Sequence, residues 1–329
     1  MRCLVTGGAG FIGSTLVDRL LAEDHEVDVI DDLSSGSVAN LAEARSSAGK
    51  RLTFHQADIR AAEVVDVITR RKPSVVFHLA AQADVRVSVA RPVFDAEVNI
   101  IGSLNVLEGS RLAGATKVVF ASSGGTIYGD PPPEALPIKE SQAHAPVSPY
   151  GVAKNAVGDY LAAYRELHDL EFTALALANV YGPRQDPHGE AGVVSIFSER
   201  LIGGEPCTIF GDGEQTRDFV FVDDVVDAFA RAAERAGGLL LNIGTGVETS
   251  VNTLYRAMAD AAGVAPEARY ERARPGELAR SALDPSKASI HLGWKPWTGL
   301  ADGLGAVMEW AATRDSGTRD SGTRDSGEN

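Results

Sequence analysis

The stretch "TGGAGFIG", residues 6–13, decides how the rest of the chain is read. It follows the apolar run "CLVT" and leads into a segment of helical period from about Phe11 to Ala22, so it stands at a strand-to-helix turn. Gly7, Gly10 and Gly13 recur at every third position. A backbone without side chains there lets a pyrophosphate approach the helix N-terminus, where unpaired amides and the helix dipole favour an anion. The next strand-like run, "EVDVID", ends in Asp31, with Asp32 directly after it, about 20 residues on, where a carboxylate suits the adenosine ribose hydroxyls and repels a 2′-phosphate. That favours NAD over NADP. Three glycines alone serve tight turning and helix packing equally well; strand, helix and acidic tip in register make the motif a dinucleotide site.

Outward from this unit, short β-branched runs keep alternating with helical segments: "LTFHQAD", a helix ending near Lys72, "SVVFHLAA", "NVLEGSRLAG", "KVVFASS", a helix starting at Ser148, and "FTALALANV". Repeated βαβ predicts an α/β fold, a Rossmann-type doubly wound parallel sheet over residues 1–180, with six or seven strands accounted for by about residue 180. After that the texture changes to polar loops, shorter strands and helices near 222–235 and 250–262. Residues 181–312 read as a smaller, partly interleaved C-terminal substrate-binding region, from which a segment near 218–245 returns to the first domain. The repeat "TRDSG" in 313–329 reads as a disordered tail, being polar and far too short for a solenoid.

Composition narrows the partners. The chain has 329 residues, 44% of them hydrophobic, enough for a substantial core. A net charge of −14 repels phosphate backbones and anionic lipid surfaces, which speaks against nucleic acid and membrane partners. Cys3 and Cys207 have no spaced Cys or His neighbours, so neither a disulfide framework nor a metal site is expected. The opening "MRCLVTGG" is too short for a signal peptide core, and no run reaches the roughly 18 apolar residues of a span. The expected compartment is the cytoplasm.

A second stretch carries chemistry. In "SPYGVAK", residues 148–154, Ser148 suits an N-cap and Pro149 the first helical position, so Tyr150 and Lys154 share one helix face at i, i+4. A phenol with pKa near 10 is a poor base, but an adjacent ammonium, the positive helix end and an oxidised nicotinamide all favour the phenolate. Tyr150 is then a general base. A Tyr and a Lys on a solvated helix face is the plainer alternative, disfavoured by the dinucleotide motif upstream. "ADI", with Asp58 and Ile59, and "HLAAQ", with Leu79, Ala80, Ala81 and Gln82, fall where loops flank the adenine and the middle of the cofactor. His78 reads as a packed strand residue.

With "VIDDLSSG", "EVNIIGS", "SSGGTIYG", "ANVYGPRQ", "FGDGEQTRDFVFVDDV", "NIGTG" and "RPGE" added in order, the chain resembles the extended short-chain dehydrogenase/reductase family. Within its NAD-dependent nucleotide-sugar epimerase/dehydratase branch it is most similar to the UDP-glucose (UDP-galactose) 4-epimerases. The resemblance implies NAD as cofactor, a UDP-hexose as substrate, and C4 epimerisation through a 4-keto sugar, with Tyr150 taking the hydroxyl proton and Lys154 bonding the nicotinamide ribose. To the cofactor residues already named it adds Phe11, Ile12, Ser35, Gly36, Asn99 and Ser122; to the substrate it assigns Asn179, Val193, Arg217, Arg274 and Glu277. Arg184 serves either the substrate or a structural salt bridge. Ser281, seven residues past Arg274, implies room for a 2-acetamido group.

The chain departs from the family at Gly124, four before Tyr128, where a catalytic Ser or Thr usually stands. If the segment is extended, Thr126 projects on the same side and delivers the hydroxyl. Ser123 is the rival, and Thr126 is favoured. Gly125 and Thr126 replace the Asp-Glu pair of 4,6-dehydratases, which counts against dehydration, and the missing glutamate counts against a UDP-glucuronate decarboxylase. A non-catalytic NAD-binding protein is opposed by the intact Tyr150 and Lys154. The family commonly forms homodimers through a four-helix bundle, here from segments near 92–113 and 149–168. Their apolar stripe, Val98, Ile101, Leu104, Val106 and Leu107, is equally what packing on the sheet requires.

Overall fold

The computed structural model describes residues 1–188, 192–264, 267–274 and 278–321. The first half alternates as β1 (Arg2–Thr6), α1 (Phe11–Ala22), β2 (Glu26–Asp31), α2 (Ala42–Ser47), β3 (Leu52–Gln56), α3 (Glu63–Arg71), β4 (Val75–His78), α4 (Val85–Ala90), α5 (Pro92–Ala96), α6 (Ser103–Ala113), β5 (Lys117–Ser123), α7 (Gly124–Ile127), α8 (Pro149–His168) and β6 (Glu171–Leu177). A π-type segment, Glu97–Gly102, links α5 to α6. The second half holds β7 (Asn179–Tyr181), α9 (Val193–Ile202), β8 (Thr208–Phe210), β9 (Thr216–Arg217), β10 (Phe219–Phe221), α10 (Val222–Ala232), β11 (Leu239–Ile243), β12 (Thr249–Ser250), α11 (Val251–Ala262), β13 (Arg269–Glu271), α12 (Ser286–Leu292) and α13 (Leu300–Ser321).

The central sheet is parallel throughout, in the order β11-β6-β5-β4-β1-β2-β3. Alternate residues of one strand enter opposite layers. Val5, Val29, Phe77 and Val119 pack with Leu16 and Leu20 of α1 and Val225 and Phe229 of α10. Leu4, Ile30, Val76 and Val118 pack with Ile68, Leu107 and Leu161 of α3, α6 and α8. Burial on both faces is why these strands read as continuous apolar runs. Chain order reverses between β1 and β4, so a crevice opens at their carboxyl ends.

Two expectations change. The run "FTALALANV" does not form one strand: β6 ends at Leu177, and Asn179–Tyr181 leaves the sheet to pair with β10. The sheet's outermost strand beside β6 is β11, which lies within the segment near 218–245 expected to return to the first domain. Asp218 enforces the departure. Its backbone carbonyl accepts from Asn179 N at 2.9 Å, and its buried carboxylate accepts from Thr245 N at 2.8 Å, Thr245 Oγ1 at 2.6 Å, Gly246 N at 3.0 Å and Leu283 N at 3.1 Å. Helix α13 carries into the repeat read as a disordered tail, and residues 322–329 of that tail lie outside the described residues. No described helix is long and apolar enough to cross a membrane.

Beneath the crevice His78 is fully buried. Ser103 Oγ donates to Asn99 O at 2.6 Å, so it accepts from His78 Nε2 at 2.8 Å, which leaves Nδ1 to accept from Thr6 Oγ1 at 2.7 Å. Burial, with Lys154 nearby, pushes the His78 imidazolium down to about 3. The unfolded chain therefore binds a proton that the folded chain refuses between about pH 6.5 and 3. Stability is expected to fall as pH drops through that window, by up to about 1.4 kcal/mol per unit from this group. Urea unfolding at pH 7.5 and 5.5 checks this: His78→Gln should be less stable at neutral pH and lose less on acidification.

Candidate active site

The glycine loop is built to receive something. Gly7 has φ +70°, and a Cβ there would lie 2.7 Å from Ala80 N; a Cβ on Gly13 would lie 2.0 Å from Gly7 O. Only glycine fits at either position. Helix α1 starts at Gly10 without a side-chain cap, so Phe11 and Ile12 open the helix with no side-chain acceptor from the cap residue. Asp31 braces the loop, its Oδ2 accepting from Ala9 N and its Oδ1 from Leu33 N, both at 2.9 Å, and burial raises its carboxyl. Asp32 is exposed and accepts from Ser34 N at 2.9 Å, while Ser35 is exposed and Gly36 packs against Ala9. A close-approach cradle, an open helix end and a carboxylate at the tip fit a dinucleotide.

The loops after β3 and β4 leave the same carboxyl edge of the parallel sheet. Asp58, after β3, accepts from Arg60 Nε at 2.9 Å, and this partner holds its carboxyl below the usual range. Ile59 is buried against Gly102. Leu79 N donates to Thr6 O and Ala80 N to Thr6 Oγ1, each at 3.2 Å, which ties the segment Leu79–Gln82, with Ala81 at its middle, to β1. Gln82 N donates to Asn99 Oδ1, and Asn99 Nδ2 donates back to Gln82 O, both at 2.9 Å. One organiser escaped the sequence reading. Asp95, fully buried on α5, accepts from Gln82 Nε2 at 2.8 Å and Asn99 Nδ2 at 2.9 Å, and burial raises its carboxyl. Its i, i+4 spacing from Asn99 on a helix was the available signal.

The Tyr150–Lys154 pair forms as the helix chemistry requires. Ser148 Oγ caps α8 by accepting from Gly151 N at 3.2 Å, and Pro149 takes the first position. Tyr150 and Lys154 are both buried, at 9% and 4% exposure. Lys154 Nζ donates to Ala121 O at 2.9 Å and lies 4.7 Å from the Phe120 ring centre and 5.6 Å from that of Tyr150. Ser122 is buried in β5, and Ser123 ends the strand. The extended reading of the next residues is corrected: Gly124–Ile127 is a helical turn, so side chains there do not alternate. Thr126 stays beside the site by another route. Its carbonyl packs on Gly151, within 2.7 Å of where a Cβ would be, next to Tyr150, and its Oγ1 reaches Ser123 O only at 3.5 Å.

On the far rim, Asn179 is exposed at the start of β7 and Val193 opens α9 half-buried. Arg217, in β9, donates through Nη1 to Thr216 O at 2.7 Å and Leu278 O at 2.8 Å. Arg274 is exposed, stacked 3.8 Å over the Phe210 ring. Glu277 lies outside the described residues. Arg184 pairs with Asp18 at 2.6 Å and so ties its loop to α1, the structural role. Ser281 is buried.

Comparison with known proteins agrees with this geometry. The pattern of the NAD dependent epimerase/dehydratase family matches residues 3–244. The chain is 53% identical over 310 residues to the UDP-glucose 4-epimerase of Mycolicibacterium smegmatis, spanning 94% of this chain and 98% of that one. The structure superposes on a UDP-glucose 4-epimerase of Thermotoga maritima solved with UDP-glucose, TM-score 0.91 at 45% identity, spanning 96% of this chain and 99% of that one. It also superposes on a Thermus thermophilus UDP-glucose 4-epimerase solved with NAD, TM-score 0.88 at 43% identity, over 94% of this chain and 99% of that one. The fold as a whole thus has its counterparts in a known group, and the chain belongs to the NAD dependent epimerase/dehydratase family.

Proposed function

We propose that this chain interconverts UDP-galactose and UDP-glucose by NAD-dependent epimerisation at C4. The observation that carries the reading is the placement of Tyr150 and Lys154, one turn apart on α8, against the carboxyl end of β5 and across the crevice from the glycine cradle. Residues 1–180 with β11 hold the cofactor: the α1 amides take the pyrophosphate, Asp31 and Asp32 the ribose, Asp58 and Ile59 the adenine, and Lys154 the nicotinamide ribose. The remaining residues to 312 hold the sugar nucleotide, with Arg217 and Arg274 set for the diphosphate.

Bound NAD supplies a reversible two-electron sink at the sugar C4. The protein's own part is proton handling and orientation. Tyr150, kept as phenolate by the Lys154 ammonium, takes the 4-hydroxyl proton as the carbinol becomes a ketone, and returns it after the keto sugar has turned its other face. Thr126 bonds the same hydroxyl and steadies it. Neither Gly125 nor Thr126 is an acid or a base, so no side chain at those positions expels a C6 hydroxyl.

The assembly reading is a homodimer through a four-helix bundle. Supporting it, the face formed by α4, α5, the π-type segment and α8 leaves Val89, Val93, Ile101 and Val152 half-exposed or more, at 62%, 71%, 51% and 50%. Such a patch is what a second copy would cover.

Product chromatography after mixing the purified protein with UDP-galactose, with no reductant added, tests the activity; absence of UDP-glucose would refute it. Tyr150→Phe should lower kcat by about 1000-fold with little change in KM, because only the proton-transferring oxygen is lost. Thr126→Val should cost about 100-fold and Ser123→Ala less than about tenfold, whereas the reverse order would hand the role to Ser123. Ile101→Asp with Val93→Asp should convert a dimer to a monomer in size-exclusion chromatography with light scattering, and a parent protein already monomeric would contradict the bundle.

A further inference from the structure

A side chain at position 124 would collide with a residue from a distant segment. A Cβ on Gly124 would lie 2.3 Å from Leu283 Cδ1, 3.0 Å from Cδ2 and 3.2 Å from Cγ. Leu283 has little room to yield. It is 1% exposed and packs with Ile127, Tyr128, Ile138 and Ala176. Its backbone is stapled on both sides: Leu283 bridges Ile138 in parallel, Ile138 N donates to Ala282 O and Asp284 N to Ile138 O, both at 2.8 Å, and Leu283 N donates to Asp218 Oδ2 at 3.1 Å. The C-terminal segment therefore drives one leucine against the turn that follows β5, into the space over Gly124.

We propose that Leu283 is a positioning residue: its side chain fills the space over Gly124, seats the turn Gly124–Ile127 against α8, and so moves the substrate-facing hydroxyl from position 124 to Thr126. The last clause rests on the reading of Thr126 made above. The first two rest on packing alone. In this arrangement Gly124 and Leu283 form a matched pair, and either residue is tolerable only with the other unchanged or both exchanged. A serine at 124 needs the volume that Leu283 occupies; an alanine at 283 vacates it.

The test uses the full-length protein, UDP-galactose turnover and thermal unfolding. Gly124→Ser alone should lower both kcat and the unfolding midpoint, kcat by about tenfold or more. Gly124→Ser with Leu283→Ala should regain at least about tenfold in kcat over Gly124→Ser. In that paired background the penalty for Thr126→Val should shrink at least about tenfold from its value in the parent, because a hydroxyl again stands at 124. Gly124→Ala with Leu283→Ala restores the space without the hydroxyl, and there the Thr126→Val penalty should stay as large as in the parent. This second pair also serves should Gly124→Ser alone fail to fold.

A Gly124→Ser protein with undiminished kcat and midpoint, or a pair no better than Gly124→Ser in either readout, would overturn the role of Leu283. A harmless Thr126→Val in the parent together with a coupled Gly124–Leu283 pair would refute Thr126 as the hydroxyl donor and support the seating by Leu283.

Discussion

A buried ammonium tied to a main-chain carbonyl holds this site together. Lys154 is 4% exposed, and its Nζ donates to Ala121 O at 2.9 Å while resting 4.7 Å from the Phe120 ring centre. Taking such a charge from water costs several kcal/mol, so it persists only where carbonyl dipoles and ring faces replace hydration. The contact also fixes geometry. It pins α8 to the end of β5, and since Tyr150 stands one turn earlier on the same helix, the phenol is held at the mouth of the crevice and in the field of the ammonium.

That crevice exists because the sheet reverses its winding between β1 and β4. A polar layer lies under it, running from Thr6 through His78 and Ser103 to Asn99, Asp95 and Gln82, with a hydrogen bond at each step. Such a network sets the rotamers of the loop Leu79–Gln82 that forms the floor. On the opposite side the Asp218 carboxylate accepts from two separate segments, Thr245–Gly246 and Leu283, and its carbonyl from Asn179, and so holds Leu283 against the turn Gly124–Ile127. Asp95 thus braces the loop after β4, and Asp218 ties the later segments to the sheet.

Much of this was legible along the chain because it is local. The glycine loop, the acidic tip at Asp31 and the capped helix Ser148–Lys154 each lie within a single strand, turn or helix, where spacing alone dictates which groups share a face. What the linear text concealed depends on contacts between distant residues. The departure of Asn179–Tyr181 from the sheet follows from Asp218, and the helical turn at Gly124–Ile127 is accompanied by Leu283 packed against it. Neither partner is near in sequence. An extended segment would put Thr126 on the side of position 124, but a helical turn does not alternate its side chains; Thr126 lies beside Tyr150 because its carbonyl packs on Gly151.

The central claim is that the Lys154 charge makes a base of the Tyr150 phenol. Its most direct test is the pH dependence of kcat/KM for Lys154→Met beside the parent. With the ammonium removed, the pH at which turnover rises should move upward toward the phenol's ordinary value near 10. A profile that kept the parent's midpoint and lost only amplitude would contradict the claim and leave Lys154 as a positional anchor alone.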